Sequence, residues 1–155
     1  MAEYSNALLQ TVNAGQDVIF SQTPVPCERG FVNHRDEQGS FILSGWIPRQ
    51  YGCRCNRKDS ALYLVDFGAN IAIPTGGTAG AISLALTIGG SEIPASIMTV
   101  TPTAVEQFFN VSRAINVQVF CNCCQALTVR NISDQPILVQ NANIIISRPD
   151  LAVTR

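Results

Sequence analysis

The stretch "ALYLVDFGANIAI" (61–73) combines aromatic and β-branched residues in one run, and the glycine-rich "PTGGTAG" (74–80) follows it directly. Aromatic and β-branched side chains fit the pleated surface of a sheet, and glycine supplies the positive φ angles that tight turns need. The two stretches together therefore predict a strand that ends in a turn. The turn lacks the lysine of a phosphate-binding loop and no helical pattern follows it, so we expect no nucleotide site there.

Further runs of the same kind lie on both sides of this stretch, and they bring the predicted strands to about ten. Turns rich in Gly, Pro, Asn and Asp separate them, for example "PVPCERG" (24–30) and "SDQP" (133–136). Short strands at this spacing predict an all-β fold, an antiparallel jelly-roll sandwich, in a single domain over residues 1–155. The other predicted strands are residues 16–22, 30–35, 40–45, 81–89, 95–101, 108–120, 126–132, 137–140 and 141–148.

One segment has a helical pattern. In "TPTAVEQFF" (101–109), Thr103 stands three residues before Glu106, as in a capping box, and the apolar residues have helical spacing. A single helical turn is therefore compatible with this segment. The adjacent run 108–120 alternates in the manner of a strand.

The composition limits the classes of partner. Hydrophobic residues make up 46% of the 155 residues and charged residues only 14%, which predicts a surface that is partly covered by other subunits. The net charge of −1 and the lack of a basic run argue against a nucleic-acid partner. Apolar stretches such as "AISLALTI" (81–88) are too short to span a bilayer, so we expect no membrane partner.

The start of the sequence bears on location. "MAEYSNALLQTVNAGQ" (1–16) has neither the basic region nor the continuous apolar region of a secretory signal. We therefore expect synthesis in the cytoplasm, whereas six cysteines suit an oxidising environment. A protein that reaches the outside by lysis satisfies both observations, so the expected final location is the surface of an extracellular particle, a spore or a virion.

Two segments carry a family resemblance: "YLVDFGANIAIP" (63–74) with the "GGTAGAISLALTIGGSEIPAS" (76–96) that follows, and "ALTVRNISDQPILVQNANIIISRP" (126–149). An aromatic-rich strand ending in Asn70, a Gly-Gly turn and a closing "NANIIISR" are the marks. The chain resembles the tumour-necrosis-factor/complement-like jelly roll in its bacterial and phage version, the head domain of collagen-like spore-surface proteins and of phage fibres. The resemblance spans roughly residues 60–149.

The resemblance implies a ten-stranded sandwich that assembles as a tight homotrimer around a threefold axis. The low charge content of the chain agrees with such burial. The sequence departs from the family in two ways. Its glycines show no period of three, so it has no collagen-like stalk, and it contains more cysteine than such heads usually show.

Six cysteines are the candidate site residues: Cys27, Cys53, Cys55, Cys121, Cys123 and Cys124. A catalytic thiol needs a base, and the single histidine, His34, falls in a predicted hairpin where we expect a solvated turn residue. Four thiolates from "CRC" and "CNCC" could bind zinc, although the spacing of the first pair is tighter than that of a usual zinc knuckle. We therefore predict no metal and no cofactor, with cysteine-bound zinc as the alternative.

Strand parity places the cysteines. Antiparallel neighbours alternate in direction, and counting the predicted strands brings all six cysteines to one end of the sandwich, opposite both chain termini. The prediction is that they are disulfides or cross-links that hold the loops together. Fifteen pairings of six cysteines exist, and the sequence does not choose among them. Adjacent Cys123 and Cys124 are poorly placed to bond each other, so at least one of them should reach another loop or another subunit.

No residue constellation proposes an enzyme. The primary hypothesis is a non-enzymatic structural protein that self-assembles as a homotrimer on a particle surface, with a lattice or filament as a further stage. The alternative is a receptor-binding or glycan-binding head of a phage fibre or adhesin, with unknown ligand residues. Trp46, the lone tryptophan, would then be an exposed platform for a sugar instead of a core or trimer contact.

Overall fold

A computed structural model describes residues 1–47, 60–121 and 124–149 of the chain, and these residues form twelve strands and one short 3-10 helix. The strands are β1 (Ala2–Asn6), β2 (Gln10–Val12), β3 (Gln22–Val25), β4 (Val32–His34), β5 (Phe41–Ser44), β6 (Ser60–Ala72), β7 (Ile82–Ile88), β8 (Ser91–Glu92), β9 (Met98–Val100), β10 (Phe109–Phe120), β11 (Cys124–Asn131) and β12 (Ile137–Ser147). The 3-10 helix covers Pro94–Ser96. Within the described ranges, no helix is long and apolar enough to cross a membrane.

The strands form two antiparallel sheets. Sheet A has the order β10-β6-β12-β1-β3, with β2 also paired to β12, and sheet B has the order β4-β5-β11-β7-β8, with β9 also paired to β7. The chain passes repeatedly from one sheet to the other, as in a jelly roll. The predicted fold class, an antiparallel jelly-roll sandwich, is confirmed.

The stretch 61–73 forms most of β6, the central strand between β10 and β12. Alternate residues of β6 point into the sandwich and are buried, as the period of two requires. The strand pairs with β10 along its whole length, from Ser60 opposite Phe120 to Ile71 opposite Phe109. Burial of each large side chain on this inner face contributes about 1.5–3 kcal/mol to stability.

Two regions differ from the predicted strands. The runs 137–140 and 141–148 are one strand, β12, whose register shifts between Gln140 and Asn143. Asn141 has a φ of 53° there, so the residue expected to break the strand forms a bulge. In addition, the predicted strand 16–22 is mainly a loop that is joined to other strands by two isolated bridges, and it overlaps β3 only at Gln22; β1, β2 and β8 were not predicted.

The helical turn that the capping pattern allowed in 101–109 does not form. The backbone N–H of Thr103 donates to Oε1 of Gln107 (3.2 Å), and Glu106 has a φ of 56°, outside the helical region. The N–H of Glu106 donates to the carbonyl of Ile73 (2.7 Å), while its carboxylate accepts from the Thr75 hydroxyl (2.9 Å). Tertiary hydrogen bonds to the turn after β6 therefore replace the local helical ones.

Candidate functional site

Three of the six candidate cysteines lie in the described part of the chain. Cys27 follows β3, Cys121 follows β10, and Cys124 is the first residue of β11. Cys53, Cys55 and Cys123 lie outside the described residues, so the prediction about them stays a prediction.

Strand register places the described cysteines at one end of the sandwich, which we call the cysteine end. At sheet B, Cys124 pairs with Ser44, the last residue of β5. At sheet A, β10 finishes beside the first residue of β6. β3 finishes beside the start of β1, since Val25 pairs with Glu3, and β1 in turn starts beside the end of β12. Cys27, Cys121 and Cys124 therefore share one end, as strand parity predicted.

The predicted position of the termini is wrong. Ala2 pairs with Ile146, and Ser147 pairs with Leu64 near the start of β6, so the first and last strands meet at the cysteine end. Two miscounts account for the error. The first strand, β1, was missed, and the unbroken β12 was counted as two strands.

The described thiols are not joined to one another. Cys27 and Cys124 are free cysteines; Cys124 is exposed, whereas the half-buried Sγ of Cys27 accepts the backbone N–H of Val32 at 3.4 Å. Cys27 and Cys121 lie at opposite edges of sheet A, about 19 Å apart for four strand spacings of about 4.8 Å. A disulfide needs Cα atoms within about 7 Å, so these two cysteines do not pair within one subunit.

No group of three or more potential metal ligands occurs among the residues that the structure describes. The zinc site that the sequence offered as an alternative would use Cys53, Cys55 or Cys123, and these cysteines lie outside the described residues.

His34 is not the solvated turn residue that the sequence suggested. It lies on β4, half-buried, with its ring stacked on Phe41 at 4.4 Å between centroids and edge-on to Tyr4 at 4.8 Å. Its Nδ1 is 3.0 Å from the carbonyl oxygen of Ser40, and its Nε2 is 3.3 Å from that of Phe20. Both ring nitrogens thus face backbone carbonyls, which leaves neither directed at Cys27 as a base.

A cleft opens at the edge where β3 ends sheet A and β4 ends sheet B. Its volume is about 250 Å³, and no Asp, Glu, Lys or Arg occurs among the described residues that line it. It is lined by Tyr4, Thr23, Pro26, Cys27, Gly30, Val32, Asn33 and His34. The strands that flank the cleft are the edge strands of the two sheets, so the sandwich is left open on this side.

Tyr4 occupies the inner side of this cleft. Only 3% of the residue is exposed, and no hydrogen bond of its hydroxyl occurs within the described residues. Burial raises the pKa of Tyr4 to about 12, and the thiolate form of neighbouring Cys27 adds to the shift. The phenol thus keeps its proton far above neutral pH, and its oxygen lies near Cys27, another residue of the cleft.

The outer face of sheet A, on strands β6, β10 and β12, is poor in charge. Its residues alternate with the buried ones. Asp66 is the only charged residue among them, and Leu64 and Phe120 are 40% and 62% exposed. We call this set face A: Leu62, Leu64, Asp66, Gly68, Asn70, Asn110, Ser112, Ala114, Asn116, Gln118, Phe120, Asn143, Ile145 and Ser147.

The lone tryptophan and the glycine-rich turn were the other features that the sequence singled out. Trp46 is 63% exposed, which excludes a core position for it in the subunit. In "PTGGTAG", Gly76 has a φ of 89°, so the stretch is a turn that needs glycine. Sequence reasoning missed Tyr4 and the cleft, because residues 1–16 showed no recognisable strand and the two edges meet only in the folded sandwich.

The sheet orders define the class of the fold: an antiparallel jelly-roll sandwich. No protein-family model and no curated protein matches the sequence. Among solved structures, the globular domain of a zebrafish complement 1qA protein is 11% identical, with a TM-score of 0.56 over 93% of this chain and 94% of that chain.

Two more distant structures also align over nearly the whole chain. The PRD1 vertex protein P5 is 13% identical, with a TM-score of 0.42 over 95% of this chain and 96% of that chain. A family 35 carbohydrate binding module from an environmental isolate is 14% identical, with a TM-score of 0.38 over 95% and 93%. The complement domain supports the fold alone, and the other two are too distant to carry an argument.

Proposed function

We propose that this protein is a non-enzymatic structural module that self-assembles as a homotrimer through face A on the surface of an extracellular particle. The observation that carries the proposal is face A itself, a broad sheet surface with exposed leucine and phenylalanine and one charged residue. The resemblance to heads of spore-surface proteins and phage fibres supports a spore layer, an appendage or a virion as the particle.

The chemistry of face A suits burial. Contacts among Leu62, Leu64 and Ile145 would remove apolar surface from water, at about 25 cal/mol per Å². Amide side chains surround these residues, and they can form hydrogen bonds across an interface; Asn110 already donates to Asn70 at 3.1 Å within the subunit. Depletion of charge is what distinguishes the core of an interface from the rest of a protein surface.

The mass in solution tests the proposal. Light scattering of the purified protein in reductant, during size-exclusion chromatography at micromolar concentration, should give three times the chain mass of 16.7 kDa. Reductant is included so that disulfides do not hold the subunits together. A mass of one chain across the elution peak would contradict the homotrimer.

We further propose that the cysteines cross-link the cysteine end, within or between subunits. Closing loops by disulfides would stabilise the protein by roughly 2–4 kcal/mol per bond. Titration of the protein in denaturant with a thiol reagent should find fewer than six reactive thiols without reductant and all six with it. Six reactive thiols in protein purified under oxidising conditions would contradict cross-linking.

A further inference from the structure

We infer that the cleft between β3 and β4 is a binding site for a neutral sugar residue, held by the hydroxyl of Tyr4 and the side-chain amide of Asn33. This inference concerns a different surface from face A and goes beyond the structural role. Four features of the cleft carry it.

The first feature is the hydroxyl of Tyr4, which makes no hydrogen bond within the described residues and is open to the cleft, whereas the rest of the side chain is buried. Its ring is held by packing on His34 (4.8 Å) and Phe41 (4.9 Å), so the orientation of the hydroxyl is preset. Without a ligand this hydroxyl can bond to water in the cleft, and a hydrogen bond to a ligand that takes the place of the water contributes about 0.5–1.5 kcal/mol. Tyr63 shows the contrast, because its hydroxyl lies within 3.0 Å of the carbonyl of Phe31 and 2.6 Å of that of Ser44.

The second feature is the set of polar groups that remain free to bind at the cleft. The exposed amide of Asn33 has no side-chain hydrogen bond within the described residues, and it offers both donors and an acceptor. The Thr23 hydroxyl makes one long contact to Asp36, at 3.4 Å. His34 contributes only its ring surface, since both of its nitrogens face carbonyls.

The third feature is the absence of charged side chains from the described lining. A charged ligand would lose part of its hydration without a counter-charge among these lining residues, and Asp36, which lies outside the lining beside Thr23, would repel an anion. An apolar ligand would leave the hydroxyl of Tyr4 unsatisfied. The ligand that fits is therefore neutral and carries several hydroxyls.

The fourth feature is size. About 250 Å³ is less than the roughly 300–1,000 Å³ of clefts for drug-sized ligands, which suits one sugar ring. Pro26 and Val32 supply apolar walls for the C–H faces of such a ring. The sugar can be a free monosaccharide or the terminal residue of a glycan, since both present the same hydroxyls.

The test measures binding of free sugars and of glycans. Free glucose, galactose, mannose and N-acetylglucosamine are titrated by ligand-observed NMR, and immobilised glycans that end in the same sugars are probed in parallel. Binding in both arms indicates that the terminal ring suffices, and binding only to glycans indicates that further sugars contribute; either result supports the site. No binding in either arm overturns it.

Two matched variants locate the binding. Tyr4→Phe removes the hydroxyl and keeps the ring, and we expect affinity to fall roughly 3- to 10-fold, the effect of one hydrogen bond. Because this hydroxyl has no protein partner, the melting temperature should stay at or above the wild-type value. Tyr63→Phe should lower the melting temperature and leave the affinity unchanged.

Three outcomes would overturn the inference: affinity unchanged in both Tyr4→Phe and Asn33→Ala, a melting temperature as low for Tyr4→Phe as for Tyr63→Phe, or equal loss of affinity in the two tyrosine variants. Leu64 lies on β6, next to the edge strand β10, whereas the cleft lies at the opposite edge of sheet A, beside β3. A Leu64→Arg variant should therefore still bind sugar. The mass in solution therefore tests the proposed trimer, and sugar binding by the variants tests the cleft, so that either proposal can be contradicted without the other.

Discussion

A single arginine on face A, in Leu64→Arg, is expected to convert the proposed trimer into monomers at micromolar concentration. Leu64 is 40% exposed in the subunit and lies on β6 between Asn116 of β10 and Ser147 of β12. An unpaired charge buried at an interface costs about 3–5 kcal/mol, and a closed trimer repeats that cost at each of its interfaces. Light scattering in reductant measures the mass, and circular dichroism verifies that the subunit remains folded.

The matched control is Ile42→Arg. Ile42 has the same exposed fraction, 40%, on a strand of the other sheet, where it points outward from β5. The change in charge and volume resembles that in Leu64→Arg, yet the mass of the proposed trimer should persist. If both variants stay trimeric, face A is not the interface; if only Ile42→Arg dissociates, sheet B is the interface instead.

The second large effect is a loss of stability, expected from Asn131→Asp. This substitution replaces the side-chain NH2 group by an oxygen at a fully buried position. The amide nitrogen of Asn131 donates to the carbonyls of Val12 (3.0 Å) and Gln135 (2.9 Å). A carboxylate there would place an oxygen against both carbonyls, which should lower the free energy of unfolding by about 3–5 kcal/mol. Urea unfolding at neutral pH measures the loss.

Two comparisons make this result specific. Asn13→Asp adds the same charge in an exposed part of the chain nearby and should change stability by less than about 0.5 kcal/mol. The loss in Asn131→Asp should also be smaller at acidic pH, where the new carboxyl carries a proton and can donate to one carbonyl. Equal losses in the two variants would mean that the added charge, and not the hydrogen bonds of Asn131, sets the stability.

Asn131 illustrates which properties of a residue can be predicted from the sequence and which cannot. The segment 126–149, which carries part of the family resemblance, contains this residue, but the sequence did not reveal what the side chain contacts. In the fold, its amide joins residues of β2 and of the turn before β12, and its backbone pairs with Gly15 and Gln16. These partners lie far apart in sequence, and local patterns contain no information about such contacts.

The cysteines show both the strength and the limit of strand counting. Parity brought Cys27, Cys121 and Cys124 to one end because each passage across the sandwich reverses the chain, and both miscounted strands, β1 and β12, lie outside the segment between Cys27 and Cys124. Parity failed for the termini, where β1 was missed and the bulge at Asn141 kept β12 continuous. Whether a bulge forms depends on the neighbouring strands. From the sequence alone, an asparagine at this position is therefore as compatible with a turn between two strands as with a bulge in one strand.

By itself the sequence determined the all-β class and the strand at 61–73 with the turn that follows it, because alternation and turn residues act over a few positions. The tertiary structure alone decided where the two sheet edges leave a cleft, which of the described tyrosine hydroxyls opens into it, and which face has exposed leucine with little charge. Those properties depend on strand order and on contacts between distant residues. Tyr4 and Tyr63 are both inward-facing strand tyrosines, and only their neighbours in space distinguish a free hydroxyl from a bonded one.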